Sequence, residues 1–500
     1  LKGELTPQQQ QALETRDVSV ALSAGAGCGK TFVLTERFLS HLEPRTDTDV
    51  TSQLGRLIAI TFTERAAREM RQRIRAGVRD RLLQAAPEHE AHWLDILRRI
   101  DSARISTIHS FCGTLLRSHA VEAQLDPGFS VLEPTAARLL LGELIDDHLR
   151  ELLAKQDADM IELVAGYDLN GVRERMGRLL SERFRLDFAE WLPLSASDLV
   201  AIWRDFHAQH VKPEALRTLR EAKAVLRLRN EILPQGAPHE KLAERALIVA
   251  EILERITESD PTDADLDSLE EHARVQGCTG KKIWAGHEAL YEDYKTAFEE
   301  LRELVGKVRK QLVFDARGAL PAAEASLRFV RVTAPVREAY EKRKQELGVL
   351  DFDDLLIKAH QLLHDEAHAN LRKRLALGIE LLLVDECQDT DDLQMELIDA
   401  LAGGAKLGRG KMFHVGDFKQ SIYRFRGAEP ELFQRLQDGT AEHGRIPLSL
   451  NFRSQPEILN FVNVLFEPVF GEKYQALAAK RAQTSPMPAV EFIWAVNLLL

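Results

Sequence analysis

Two rhythms of apolar and polar positions run along the chain. Short apolar runs that end in polar or glycine-rich residues recur at Val18 to Leu22 ("VSVAL"), in "RLIAITFTERAAREMRQRIR" from Arg56, in "ARISTIHSFC" from Ala103, at Ile379 to Val384, and in "MFHVGDFKQSIYRFRGAEP" from Met412. Runs of this kind fit strands buried on both faces of a parallel sheet, whose polar followers gather along the carboxyl edge where ligands bind. Between Cys112 and Val349 the rhythm is helical instead. Leu141, Ile145, Leu149 and Leu152 form one stripe, and Tyr294, Phe298, Leu301, Val305, Val308 and Leu312 another of nearly heptad spacing. Both stripes read as packing inside a helical body rather than as a seam for a partner. The pattern predicts an α/β chain with a parallel sheet and a large all-helical insert.

Composition narrows the class. With 45% apolar and 29% charged residues, 500 residues suffice for more than one core. A net charge of -12 argues against a protein that grips nucleic acid over its whole surface, but it leaves room for a local basic groove. Cys28, Cys112, Cys278 and Cys387 are widely spaced with no C-x-x-C pair, so neither a zinc framework nor disulfides are expected, and a reducing compartment fits. No apolar run reaches membrane-spanning length, and the N-terminus has no secretory pattern.

The first apolar run leads into "LSAGAGCGKTF", Leu22 to Phe32, and then into an amphipathic stretch from Thr31. Strand, glycine-rich loop and helix in that order make a phosphate cradle, because successive backbone N–H groups and the helix dipole turn on the same anion. The usual first glycine is replaced by Ala24, while Gly25, Ala26, Gly27, Cys28, Gly29, Lys30 and Thr31 complete the loop. Lys30 is expected on the β and γ phosphates of ATP and the Thr31 hydroxyl on Mg2+. Cys28, near a helix N-terminus, raises the expectation of a lowered thiol pKa and oxidation sensitivity, against the plainer reading of a small loop residue. Asp385 and Glu386 follow the buried run at Ile379 to Val384, where Asp385 would hold the Mg2+ shell and Glu386 would orient and deprotonate water.

These segments resemble the superfamily 1 helicases of UvrD/Rep type, and within them the AddA and RecB helicase-nuclease subunits. "LTPQQQQAL" from Leu5 resembles the adenine-recognising Q motif, with Gln9 on the base. "AGAGCGKT" is similar to the family's Walker A motif and "VDECQDT" to its Walker B motif. "GDFKQSIYRFRGA" resembles motif III, with Gln420 sensing the γ-phosphate, and "NFRS" resembles motif IV, with Phe452 against adenine and Arg453 as an arginine finger. The resemblance places Phe62 and Thr63, then Thr107 and His109, then Tyr423 and Phe425, on single-stranded DNA; aromatic platforms and basic residues are what such strands need. The arginines Arg65, Arg68, Arg71, Arg73, Arg75, Arg79 and Arg81 after Phe62 spread around their helix, so only the start of that segment is assigned to DNA and the rest to solvent or acid partners.

The resemblance implies a RecA-like P-loop NTPase motor domain from residues 1–118 and 346–440, a helical insert over 119–345, and the start of a second motor lobe over 441–500. The insert's length favours the AddA/RecB branch. The function implied is an ATP-dependent DNA helicase, moving 3' to 5', that is the motor part of a helicase-nuclease in double-strand break repair and recombination. Its partners would be single-stranded DNA, DNA ends and a second helicase-nuclease subunit, in the bacterial cytoplasm at the nucleoid and at no membrane. Further motifs of the second lobe, and a nuclease, are not visible before Leu500, so this stretch alone is expected to bind ATP and DNA but to hydrolyse and unwind poorly. The alternatives are a UvrD-like repair helicase without nuclease and an ATP-binding DNA scaffold with little turnover. Against the scaffold stand the intact Lys30, Thr31, Asp385, Glu386, Gln420 and Arg453. Two further clusters are set aside. "GCTGKKIW" from Gly277 lacks the spacing of a phosphate loop, and Asp351, Asp353 and Asp354 are better explained by a helix cap at Asp351 than by a metal.

Overall fold

The computed structural model describes residues 5–45, 49–181, 186, 188–279, 283–404, 410–424, 427–471, 474–484 and 489–491. Two compact units emerge, one from Leu1–Leu139 with Lys342–Leu500 and one from Leu140–Glu341.

The first unit is built on six parallel strands: β1 (Val20–Ala24), β2 (Leu57–Thr61), β3 (Arg104–Thr107), β4 (Leu381–Val384), β5 (Met412–Gly416) and β6 (Arg445–Leu448), in the spatial order β3-β2-β4-β5-β1-β6. Every residue of β2, β4 and β5 is buried, as continuous apolar runs require. Alternation along each strand feeds two separate cores. Leu57, Ala59, Leu381 and Leu383 face the core that also holds Val33, Leu34 and Phe38, while Ile58, Ile60, Leu382 and Val384 face the other, with Phe111, Leu355 and Ile398.

Helices cover these faces: α1 (Pro7–Glu14), α2 (Lys30–Ser40), α3 (Glu64–Gln84), α4 (Ile108–Ser118), α5 (Phe352–His364) and α6 (Asp392–Ala402) are those that frame the sites below. Arg37 of α2 is fully buried and donates to the carbonyls of Ala12 and Leu13 at 3.3 and 2.7 Å, tying α2 to the last turn of α1.

The sheet includes β6, although residues from 441 onward were expected to open a second lobe. Ile446 and Leu448 are buried, and β6 pairs with β1 in the register Ala21 to Arg445, so the sheet ends after residue 440. Residues 119–139 and 342–345 also belong with the first unit rather than with the helical insert. Ser130–Val131 pairs with Val349–Leu350, Phe129 packs into the second core, and Lys344 is buried under α5.

The described secondary structure of the second unit is helical. The stripe of Tyr294, Phe298, Leu301, Val305 and Val308 lies inside its main core, with Leu312 at the margin. Ile145 and Leu149 are buried in a second cluster with Leu141 and Leu152 packed beside them. Of the dismissed loop mimic, residues 280–282 lie outside the described residues.

Candidate functional site

The loop after β1 is shaped by two glycines. Gly27 and Gly29 have φ of 83° and 87°, in the left-handed region that other residues avoid, and Gly29 is the N-cap of α2. Ala24 needs no such freedom, because it is the buried last residue of β1, paired with Leu448. A methyl is therefore tolerated where the usual pattern has glycine.

At the carboxyl end of β4, separated from β1 by β5, Lys30 Nζ donates to Glu386 Oε2 at 2.8 Å, and Gln388 Nε2 donates to the same oxygen at 2.8 Å. Burial alone would raise the Glu386 carboxyl, but the Lys30 charge and these two hydrogen bonds outweigh it and hold the group below its ordinary value. Asp385 goes the other way: burial, then the Glu386 charge, push it up to about 6. Glu386 itself stands at φ 53°, an uncommon backbone for a non-glycine residue, which turns its side chain from the strand toward Lys30.

Hydrogen bonds continue from here to the end of β5. Gln388 Oε1 accepts from the Asp417 backbone N–H at 3.0 Å, Asp417 accepts from Gln420 Nε2 at 2.7 Å, and that amide also reaches the Ala24 carbonyl at 3.4 Å. Glu386, Gln420 and the loop strand are thus linked through Gln388, which follows the acid pair in the sequence motif, and Asp417, which the sequence did not single out; both are buried.

The segment after β6 docks directly on the loop. Phe452 N–H donates to the Gly27 carbonyl at 2.9 Å. Asn451, 1% exposed, donates from Nδ2 to the Ala26 carbonyl at 2.6 Å and accepts from the N–H groups of Arg453 and Ser454 at 2.8 and 2.7 Å. A Cβ on Gly27 would come within 2.7 Å of Arg453 Cβ, so glycine is required here by close approach as well as by φ. Gln9 forms a capping box with Thr6, its Oε1 accepting from the Thr6 N–H at 3.1 Å, which leaves Nε2 beside Gly29.

A cleft of about 440 Å³ joins these groups, lined by Gln9, Lys30 and Thr31 with Glu386, Gln420, Phe452 and Arg453. Arg73 of α3 also lines it and lies close enough to Asp385 to lower its pKa. Its position two turns into α3 was hidden among seven arginines; it is ion-paired with Glu69 as Arg75 is with Asp101 and Arg81 with Glu36 and Glu43, and only the fold shows that Arg73 also borders the cleft.

Of the residues expected on DNA, Phe62 and Tyr423 meet each other, with ring centroids 4.9 Å apart and planes at 34°. Thr63 and Thr107 are helix caps, accepting from the N–H groups of Ala66 and Ser110 at 3.1 and 3.3 Å. The Thr107 hydroxyl also donates to Glu64 Oε1 at 2.9 Å. His109 rests against Phe352 at 5.4 Å, and burial lowers its pKa, so it is a neutral, half-buried ring. Phe425 lies outside the described residues.

Two sequence readings of single residues are resolved by their surroundings. Cys28 is buried, and burial followed by the Asp417 charge pushes its thiol up to about 11, which overturns the expectation of an activated thiol. Asp351 caps α5 in a capping box with Asp354, and buried Lys344 lies 3.3 and 2.5 Å from the two carboxylates, a cation partner the sequence did not reveal.

Comparison with known proteins adds the relatives. The UvrD/REP helicase N-terminal domain family matches residues 5–440. A protein of Staphylococcus carnosus, named as one subunit of an ATP-dependent helicase/nuclease, is 29% identical over 93% of this chain and 39% of its own length. Proteins of the same name from Syntrophomonas wolfei and Bacillus pumilus are 30% and 29% identical, over 94% and 93% of this chain and 38% and 40% of their own lengths. The chain thus spans about two fifths of the length of these relatives. Among the described residues no helix is long and apolar enough to cross a membrane.

Proposed function

The chain belongs to the UvrD/REP helicase family, and from that premise we propose that it is the ATP-driven motor portion of a DNA helicase, part of a helicase-nuclease that moves 3' to 5' on single-stranded DNA and processes DNA ends in double-strand break repair. The relatives' name, which makes each of them one subunit of such an enzyme, supports a second helicase-nuclease chain as partner. A bacterial cytoplasmic location at the nucleoid follows from that role. The observation that carries the reading is the meeting of Lys30, Glu386, Gln420, Phe452 and Arg453 on one cleft over a glycine-shaped loop.

In this mechanism adenine lies between Gln9 and Phe452, with the Gln9 amide donating to the base and the ring stacking on it. The phosphates lie against the backbone of residues 25–30 at the head of α2. Thr31 and Asp385 offer hard oxygen donors beside that cradle, a set that fits Mg2+, which when bound would neutralise phosphate charge. Lys30 pairs with Glu386 at 2.8 Å. With Lys30 turned to a bound triphosphate, Glu386, held by Gln388, would be the carboxylate that accepts a proton from the attacking water. Arg453 supplies a guanidinium to the transferring phosphoryl group, and Asn451 fixes the segment that carries it. The Phe62 and Tyr423 pair offers a stacking surface for a base, and Gln420 links that segment to the nucleotide. The apolar face of the helix Pro456–Phe470, where Val464, Leu465, Phe466 and Val469 are exposed, is a surface for packing within the second lobe that this helix opens.

The test is ATP binding and turnover, with and without single-stranded DNA. Lys30→Ala is expected to weaken binding of a fluorescent ATP analogue at least about tenfold, a loss of about 1.4 kcal/mol. Glu386→Gln is expected to keep or tighten binding, because it releases Lys30, while lowering turnover by about 10²–10⁴. ATP binding that is indifferent to Lys30→Ala would sink the proposal.

A further inference from the structure

Away from the nucleotide cleft, α5 and α6 bring two imidazoles and a carboxylate to one point. His360 and His364 are four residues apart on α5 and so leave the same face of the helix. Their rings stack with centroids 3.9 Å apart and 21° between planes. Glu396 of α6 meets them, with Oε2 2.7 Å from His360 Nε2, and one ligand atom from each residue lies within 4.8 Å of the others. We propose that His360, His364 and Glu396 form a binding site for a divalent transition-metal ion of the Zn2+ class.

The donor set is the first reason, since two imidazole nitrogens and one carboxylate oxygen suit Zn2+ and leave a fourth position for water. The second is the tautomer of His364. Its Nδ1 lies 2.9 Å from the His360 carbonyl, which can only accept, so Nδ1 carries the proton and Nε2 keeps a free lone pair. An outer N–H bonded to a backbone carbonyl is also what orients imidazoles that ligate metals.

The third reason is the short His360–Glu396 contact, which places a hydrogen between ring nitrogen and carboxylate. The ion takes that position, Nε2 and Oε2 become ligands, and the displaced proton leaves to solvent. Ligand bonds of about 2.0–2.1 Å in a tetrahedron set ligand atoms about 3.3 Å apart, so the widest pair here has to close by about 1.5 Å. Side-chain rotation supplies that, because the His360 and Glu396 side chains are 24% and 60% exposed.

The surroundings are mixed in charge. Asp399, one turn beyond Glu396, adds a carboxylate at the rim, while Arg372 and Lys373 oppose it. Arg372 is held by the Leu363 carbonyl at 2.9 Å. Bound there, the ion clamps α5 to α6, two helices on the second core of the first unit.

The test is calorimetric titration of untagged chain with Zn2+ in excess Mg2+, followed by Co2+ absorption as a report on the ligand set. One equivalent of Zn2+ is expected, with affinity about ten- to a hundredfold lower in Glu396→Gln and at least as much lower in His364→Ala. Both positions are exposed, and circular dichroism checks that the variants fold. Visible Co2+ bands that vanish in His364→Ala would support imidazole ligation. Absence of saturable Zn2+ binding, or binding equally tight in His364→Ala and Glu396→Gln, would overturn the site and send any bound ion to other carboxylates or thiols.

Discussion

Asn451, the first residue of the NFRS segment, anchors that segment to the phosphate loop. One buried amide holds the Ala26 carbonyl and two backbone N–H groups, so it joins the phosphate loop to the segment bearing Phe452 and Arg453. Asn451→Ala strands all three groups, at about 1–3 kcal/mol for each left without a partner. ATP affinity is expected to fall about tenfold or more, as read by fluorescent nucleotide titration; an unchanged affinity would separate this amide from the site. Cys28 makes the opposite point. Its place in the loop suggests reactivity, but burial keeps the thiol protonated, so iodoacetamide is expected to leave Cys28 unmodified in the folded chain, as mass spectrometry of tryptic peptides would establish.

The elements divide the loop's residues into those that shape it and those that fill it. Gly27→Ala places a Cβ against Arg453 Cβ in a left-handed backbone, and at Gly29 the conflict is with Gln9. Either change is expected to cost about 1–2 kcal/mol of backbone strain and to impair ATP binding. Ala24→Gly should act differently. It restores the usual motif but loosens a buried strand end, so thermal melting should show a loss of about 0.5–1 kcal/mol with no gain in nucleotide affinity. A gain would mean that the first position does more than end β1.

Over the whole molecule, two buried ionisable groups make stability testable. Lys344 is 1% exposed between Asp351 and Asp354, and Lys344→Met removes the ammonium that lies 3.3 and 2.5 Å from these buried carboxylates. Urea unfolding should reveal a loss of about 3–5 kcal/mol. His414, buried within β5, sets an acid response because burial lowers its pKa from 6.5 to about 4. Above pH 6.5 the ring is neutral in both folded and unfolded chains and costs nothing. As pH falls toward 4 the unfolded chain takes up a proton that the folded chain refuses, and stability drops by about 3 kcal/mol in all. Asp385 and Asp389, both raised to about 6, work in the opposite direction over an overlapping range, so the net slope of the wild type mixes the three. Comparing His414→Gln with wild type at about pH 7 and pH 5 isolates the histidine: the variant should lose less stability on acidification, and equal losses would refute the assignment.

What the sequence determined by itself is what local order carries. Periods of apolar residues announce the two strands that run as Val20–Ala24 and Leu381–Val384, each starting two residues later than the apolar run, and the helical stripes of Leu141 and Tyr294, and consecutive residues announce the phosphate loop and the acids after β4. The α5 cap at Asp351 was legible for the same reason, since a cap needs only residues three positions apart. Tertiary structure decided what depends on distant residues meeting. It placed β6 beside β1, chose Arg73 from seven arginines for the nucleotide cleft, buried Lys344 between two aspartates, and set His360 and His364 opposite Glu396. It also turned Thr63 and Thr107 into caps and paired Phe62 with Tyr423. Those outcomes rest on hydrogen bonds, ion pairs and burial between segments far apart in the chain, and a pattern of neighbouring residues cannot express them.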